Sequence, residues 1–315
     1  MSKKNINNVN TNDNIESSES DKYQEPINFR ERYEALKKLG SGSFGDVYLA
    51  KYKPDNLQVA LKVEFKKKSP RIQNEYKIYS KLHRNKYING IPAVYEFVET
   101  SDCNIMAMEL LGDSLDELFK DNNNKFSVSC VLKLGYQIVS LLEIIHKKGY
   151  IHRDLKPNNF LIGYKEKKKQ VYIMDFGLSK KYIDRNGHIP FKSEKQLVGT
   201  PRYVSINMHL GIEPTRRDDL ESLGYMLVYF LKGHLPWQNL KKKKGTSQVE
   251  IIGEKKMEIT LKELCKDIPE AFSTYLAYCR SKLDFDSEPD YDFLKDIFIE
   301  QCDKLNLKMK YDWEE

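Results

Sequence analysis

An α+β fold in two lobes is what this sequence predicts, and three observations carry that expectation. Between about residues 27 and 111 the apolar residues fall in short, partly alternating runs such as "DVYLAKYK" and "QVALKVEF", separated by turn residues, which read as strands. From about residue 112 onward they recur every three or four positions, as in "SCVLKLGYQIVSLLEIIHKKG", which reads as helix. A chain of 315 residues with 40% hydrophobic content suits one large two-lobed domain with a real core. The cleft between a small strand-rich lobe and a larger helical lobe is then the natural ligand site.

In chain order, residues 1–26 are rich in Asn, Ser, Asp and Lys and nearly free of large apolar side chains. Such a segment cannot offset its ordering entropy by burial and reads as disordered. The domain begins after Pro26 and runs from 27 to 315, with the lobes meeting near 111 and 112. The first lobe predicts a five-stranded sheet interrupted by one helix, "SPRIQNEYKIYSKLH". Ser69 reads as its N-cap and Pro70 as its first helical residue, with Ile72, Tyr76, Tyr79 and His83 at helical spacing. In the second lobe the long helix stops at Gly149. "DDLESLGYMLVYFLKG" is apolar on most faces and reads as a buried helix. No internal repeat is present.

The bulk properties narrow the setting. No apolar stretch reads as a membrane span, and the N-terminus lacks the apolar core of a secretory signal. Cys103, Cys130, Cys265, Cys279 and Cys302 are scattered without C-x-x-C spacing. They read as free thiols in an intracellular, reducing compartment: the cytoplasm, with the nucleus left open. The lysine runs at 66–68, 165–169 and 241–244 lie in loop-like stretches without interleaved aromatics. They read as solvated loops rather than a specific nucleic-acid surface.

The chemistry begins at "LGSGSFGDVYLA". Gly40, Gly42 and Gly45 stand at G-x-G-x-x-G spacing, with Ser41, Ser43 and Phe44 between them and Leu39 and Val47 flanking. A strand rather than a helix follows, so the dinucleotide-binding reading fails, and a glycine loop between two strands is the arrangement protein kinases use over nucleotide phosphates. Lys62 in "VALK" lies on a strand, and Glu75 shares the inward face of the following helix. A carboxylate there needs a partner, and Lys62 is the candidate. "HRDLKPNNF" then fits H-R-D-x-x-x-x-N. Asp154 can accept a substrate hydroxyl proton, Lys156 can neutralise the transferring phosphoryl, and Asn159 can hold Mg²⁺. The D-F-G at Asp175, Phe176 and Gly177 supplies a second magnesium ligand in Asp175. Five such signals in this order predict a protein-kinase fold using ATP and Mg²⁺. Thr200 offers a hydroxyl to Asp154 and Lys156, an arrangement that looks like that of serine/threonine kinases.

At "GTPRYVSINMHLGIEPTRRDDLESLGYMLVYFLKGHLPWQ" the sequence resembles the casein kinase 1 family. Ser205, Ile206 and Asn207 stand where most kinases have Ala-Pro-Glu, and "HLGIE", "RRDDLESLGY", "LPWQ", the "MELLG" at 108–112 and "EPDYDFL" at 288–294 fit the same pattern. The resemblance spans about residue 30 to "YDW" at 311–313. It implies a monomeric serine/threonine kinase domain. Leu39, Val47, Ala60 and Leu161 would enclose adenine and Met108 would close the back of the pocket. The backbone of Glu109 and Leu111 would bond the base, and Ser114 would face the ribose. Asp219 would hold the H-R-D loop. The family favours serines that follow acidic or phosphorylated residues, which makes Arg202 a substrate anion anchor, with a structural salt bridge as the alternative. Arg153, Lys180 and Lys195 would form a second anion cluster. The family is generally active without a phosphate there, so constitutive activity is expected, with Ser193 an untested loop hydroxyl.

Three positions depart from the pattern: Gln248 replaces a lysine of the phosphate pocket, Asn239 a glycine, and Pro201 an alanine. The run Lys241 to Lys244 could stand in for the missing lysine. A catalytically weak nucleotide-binding scaffold is the contrasting class. A kinase of vaccinia-related type, sharing "RRDDLESLGY" and "LPW" but not "SIN", is the contrast within the fold.

Overall fold

The computed structural model describes residues 32–42, 45–66, 71–241 and 245–314. The expected 1–26 tail, the Ser69–Pro70 helix start, Ser43 and Phe44, and Lys242 to Lys244 lie outside the described residues.

Alternation along the strands builds the first lobe. Strands β1 (Tyr33–Gly42), β2 (Gly45–Tyr52), β3 (Leu57–Phe65), β4 (Val94–Glu99) and β5 (Cys103–Glu109) form one antiparallel sheet in the order β1-β2-β3-β5-β4. Val59, Leu61 and Val63 of β3 pack with Ile105 and Ala107 of β5 in a small core on one face. Ala60, Met106 and Met108 point the other way and join the main core. Lys62 has the same parity as Ala60, so the strand aims it at the cleft.

Helix α1 (Ile72–Leu82) covers that second face and buries Ile72, Glu75, Ile78, Tyr79 and Leu82. Its first amides are satisfied from outside. The Glu64 carboxylate of β3 accepts from the N–H of Arg71 at 3.1 Å and of Ile72 at 3.4 Å. A strand side chain thus caps the first described turn of α1.

The second lobe opens with β6 (Leu111–Ser114), α2 (Leu115–Asp121) and α3 (Val128–Lys147). Strands β7 (Tyr150–Ile151), β8 (Phe160–Gly163) and β9 (Val171–Ile173) follow, with β6-β8-β9 forming one small sheet. Strand β10 (Lys180–Lys181) pairs with β7, and β11 (Ile183–Asp184) with β12 (Gly187–His188). The remainder is helical: α4 (Ile206–His209), α5 (Arg216–Lys232), α6 (Gln248–Glu258), α7 (Leu261–Leu264), α8 (Glu270–Ser281) and α9 (Tyr291–Lys304).

Helix α3 corrects one expectation. It is 20 residues long and apolar enough to cross a membrane, although the sequence reading found no such stretch. Its apolarity has another cause. It packs against α5 and α9, with Leu132, Leu134, Ile138 and Leu142 fully buried. A Cβ at Gly135 would sit 2.7 Å from the Phe298 ring, so glycine sets the close approach to α9. Helix α5 is buried at every position from Asp218 to Leu231, as its pattern predicts. All five cysteines are free and buried.

Candidate active site

The cleft side of β3 and the inner face of α1 meet at a buried ion pair. Lys62 Nζ lies 2.6 Å from Glu75 Oε2 and 3.2 Å from Asp175 Oδ1. Burial pushes the Lys62 ammonium down, but the Glu75 and Asp175 carboxylates outweigh it and hold it above its ordinary value. Burial pushes Glu75 up to about 7 against the pull of Lys62. Asp175 stays below the usual carboxylate range because Lys62 and His152 outweigh its burial.

Asp175 has φ +66°, in the left-handed region, and its N–H donates to the Tyr79 hydroxyl at 3.1 Å. Phe176, fully buried, stands edge-on to Tyr79 at 4.9 Å and to His152 at 5.2 Å. One stack therefore ties α1, the D-F-G turn and the H-R-D loop into a single unit.

The H-R-D loop leaves β7 and is held from below. Asp219 of α5 accepts the N–H of His152 at 2.7 Å and of Arg153 at 2.9 Å. Hydrogen bonding from His146 helps to keep Asp219 below its ordinary pKa despite burial. Arg153 takes φ +71°, which turns the next residue, Asp154, into the cleft. Asp154 Oδ1 accepts from Thr200 Oγ1 at 2.8 Å, and Oδ2 accepts from Lys156 Nζ at 2.6 Å. Asn159 Nδ2 donates to the Asp154 carbonyl at 2.8 Å and lies 3.3 Å from Oδ2. The structure thus brings Asp154, Lys156, Asn159 and Thr200 together, with Lys62, Glu75 and Asp175 across the cleft.

The donor set fits magnesium held jointly with phosphate. The Asn159 amide nitrogen is spent on Asp154, so its oxygen is the group left for a cation, and Asp175 supplies a carboxylate. Among the described residues no cluster of three His, Cys, Asp or Glu could hold a metal unaided. Mg²⁺ binds in this manner, through one or two protein oxygens plus substrate phosphates.

The nucleotide-facing residues lie where the sheet meets β6 and β8. A Cβ on Gly45, at φ +138°, would fall 2.1 Å from the Val63 carbonyl, so only glycine fits. A Cβ on Gly40 would meet nothing within 4 Å, which leaves room for a ligand against β1. Ser41 and Gly42 continue β1, pairing with Asp46 and Gly45. Leu39 is exposed, Val47 and Leu161 are half-buried, and Ala60 and Met108 are buried. Glu109 donates its N–H to the Ala93 carbonyl at 2.8 Å, so a base would meet only its carbonyl. Leu111 pairs with Gly163 in β6 and β8.

Ser114, expected to face the ribose, is tied into the start of α2. It is the N-cap of α2. Its hydroxyl accepts from the Glu117 N–H at 3.2 Å and donates to the Glu117 carboxylate at 2.8 Å. The spacing Ser114-x-x-Glu117 is a capping box legible in the sequence.

The two basic sites also differ from each other. Arg202 is half-buried, 5.7 Å from the centres of the Tyr203 and Tyr229 rings, and among the described residues no carboxylate pairs with it. Among the described residues the alternative of a structural salt bridge finds no partner. Arg153, Lys180 and Lys195 do line one cavity of about 170 Å³, but Glu213 lines it with them. Glu213 lies 2.8 Å from Lys180 Nζ and 3.7 Å from Lys195 Nζ. Burial raises Glu213, yet hydrogen bonding and charge from Lys180, with Lys195 and Arg153, hold it below the usual carboxylate range. The cluster expected to wait for an outside anion already contains one.

The departures have local causes. Thr200 to Tyr203 form a turn in which the Tyr203 N–H donates to the Thr200 carbonyl at 2.9 Å, and proline suits the second position of such a turn. Asn239 has φ +58°, a conformation asparagine tolerates where glycine is usual. Gln248 opens α6 behind the Ser247 cap.

Glycines on β1 and β2, a lysine held by a helix glutamate and an aspartate steered by lysine, threonine and asparagine are parts suited to phosphoryl transfer. Sequence comparison gives the family directly: residues 33–304 match the protein kinase domain, and the chain belongs to the protein kinase family. Its activity is protein phosphorylation, for which that family generally uses ATP with Mg²⁺.

Proposed function

We propose that this kinase is of casein kinase 1 type: it transfers the γ-phosphoryl of Mg-ATP to serine or threonine and prefers acidic or phosphorylated residues upstream of the target. The observation that carries the specificity is Arg202. It stands two residues from Thr200, which bonds Asp154, and among the described residues no carboxylate pairs with it. A planar guanidinium not neutralised by a carboxylate offers a bidentate fork to a carboxylate or phosphate.

In the reaction Lys62, set by Glu75, steadies the nucleotide phosphates. Asp154 takes the proton of the attacking hydroxyl, and Thr200 and Lys156 fix its two oxygens in place. Lys156 also lies where charge gathers on the transferred group. Mg²⁺, when bound by Asp175 and Asn159, neutralises phosphate charge. Positioning and electrostatics account for the acceleration.

Matched peptides that differ only in Ser, Thr or Tyr at the acceptor position test the class. Transfer from Mg-ATP to Ser and Thr with little or none to Tyr is expected. Efficient transfer to Tyr overturns the reading, and so does ATP binding without transfer to any peptide.

A further inference from the structure

Lys256 is the least expected cation in the molecule. It sits in the last turn of α6 with no exposed surface. Among the described residues no carboxylate is within ion-pair distance of it. Its Nζ instead donates to the carbonyls of Pro201 at 2.8 Å and Val204 at 2.6 Å. The rings of Tyr225 and Trp237 lie 4.9 and 5.1 Å from the nitrogen. Burial pushes the Lys256 amine well below its ordinary pKa, while two carbonyls and two ring faces hold it in place.

The carbonyls it bonds belong to the turn that carries Arg202. Trp237, 1% exposed, donates its indole N–H to the Arg202 carbonyl at 2.8 Å. The His209 ring stands 3.3 Å from the Pro201 carbonyl. The Thr200 carbonyl accepts the N–H groups of Tyr203 and Val204 at 2.9 and 3.2 Å. Four carbonyls of a five-residue segment are thus fixed, three of them by side chains from α4, α6 and the loop after α5. That segment begins with the Thr200 hydroxyl on Asp154 and has Arg202 at its centre.

We propose that Lys256 and Trp237 are positioning residues for substrate specificity: they lock the backbone under Arg202 so that its guanidinium is held at a fixed offset from Asp154. The inference rests on the reading of Arg202 as the anchor for upstream negative charge. A rigid offset turns an anion at one peptide position into a preference, because only a serine at the matching distance reaches Asp154. A loosened turn would still bind anions but would no longer register the acceptor. The arrangement also gives Gln248 a context, since the helix that lacks the family's lysine at its first turn still grips the anion turn from its last.

The test uses the full chain as wild type, Lys256→Met and Trp237→Phe, with two serine peptides identical except for phosphoserine or alanine three residues upstream. Trp237→Phe keeps an aromatic ring in the core while removing the indole donor and leaves Lys256 in place, so it guards against a folding failure in Lys256→Met. Binding of a non-hydrolysable ATP analogue checks the cleft of each variant. The expected result is a KM for the phosphopeptide raised about tenfold in both variants, with KM for ATP unchanged and a much smaller change for the alanine peptide. A parallel loss on both peptides, or an unchanged ratio, overturns the positioning role. If wild type itself does not distinguish the two peptides, the reading of Arg202 falls and the inference falls with it.

Discussion

Two basic regions flank Asp154, and they are built on opposite principles. Around Glu213 three cations close on a carboxylate from their own chain. Around Arg202 most backbone carbonyls are hydrogen-bonded, yet among the described residues the charged end of the side chain meets the Tyr203 and Tyr229 side chains and no carboxylate. The first region has a carboxylate of its own at its centre. In the second, among the described residues, no carboxylate pairs with the cation, which is what the proposed anchor role requires. Counting basic residues would rank them as equivalent; the location of the nearest carboxylate separates them.

The largest expected effect lies where the two regions meet. Asp154→Asn should lower kcat by about 10²- to 10⁴-fold, the range typical of a positioned proton acceptor, while leaving ATP binding nearly intact. Near wild-type turnover would remove Asp154 from the centre of the account. Arg202→Ala should cut kcat/KM on a phosphoserine-primed peptide by about 10- to 100-fold, the loss expected for a charge-assisted hydrogen-bond pair, and change the unprimed peptide far less. Glu213→Gln should lower kcat by only a few-fold, and inorganic phosphate should restore part of it by supplying the missing anion. The same addition should do nothing for wild type. Equal sensitivity of both regions to added phosphate would erase the contrast between them.

Acid should separate the regions as well. Burial, with help from the nearby Lys256 charge, pushes His209 down from 6.5 to about 4. A base depressed in the folded state contributes stability that is present above its unfolded pKa and is lost as pH falls from about 6.5 toward 4. Glu213 is a carboxylate held low, so its contribution is present above its unfolded pKa near 4.5 and disappears only below that. Thermal melts should therefore show a first decline between pH 6.5 and 4.5 that His209→Gln reduces and Glu213→Gln does not. An unchanged decline in the His209 variant would contradict the assignment.

The two lobes and the motif residues were legible because their signals are local. Alternation marked β3, three- and four-residue spacing marked α3 and α5, and the order of glycine loop, Lys62, Glu75, Asp154 and Asp175 named the fold. The misses are long-range. Glu64 caps α1 from a strand, and Glu213 neutralises residues 18 to 60 positions away in the sequence. Lys256 bonds carbonyls more than 50 residues upstream. Glu213, Trp237 and Lys256 stood in plain view in "HLGIE", "LPWQ" and "EKKM", but nothing in their spacing told which carbonyl or cation each would meet. Ser114 is different, since its capping box with Glu117 was readable from the spacing alone. Helix α3 shows that a span-like apolar run can arise because two neighbouring helices cover it.

The most direct measurement is phosphoryl transfer from Mg-ATP to one serine peptide made with and without phosphoserine three residues upstream, by wild type and by Arg202→Ala. The account predicts a strong preference for the primed peptide in wild type and its collapse in the variant. Equal rates on the two peptides in wild type, or a preference that survives loss of Arg202, would contradict it.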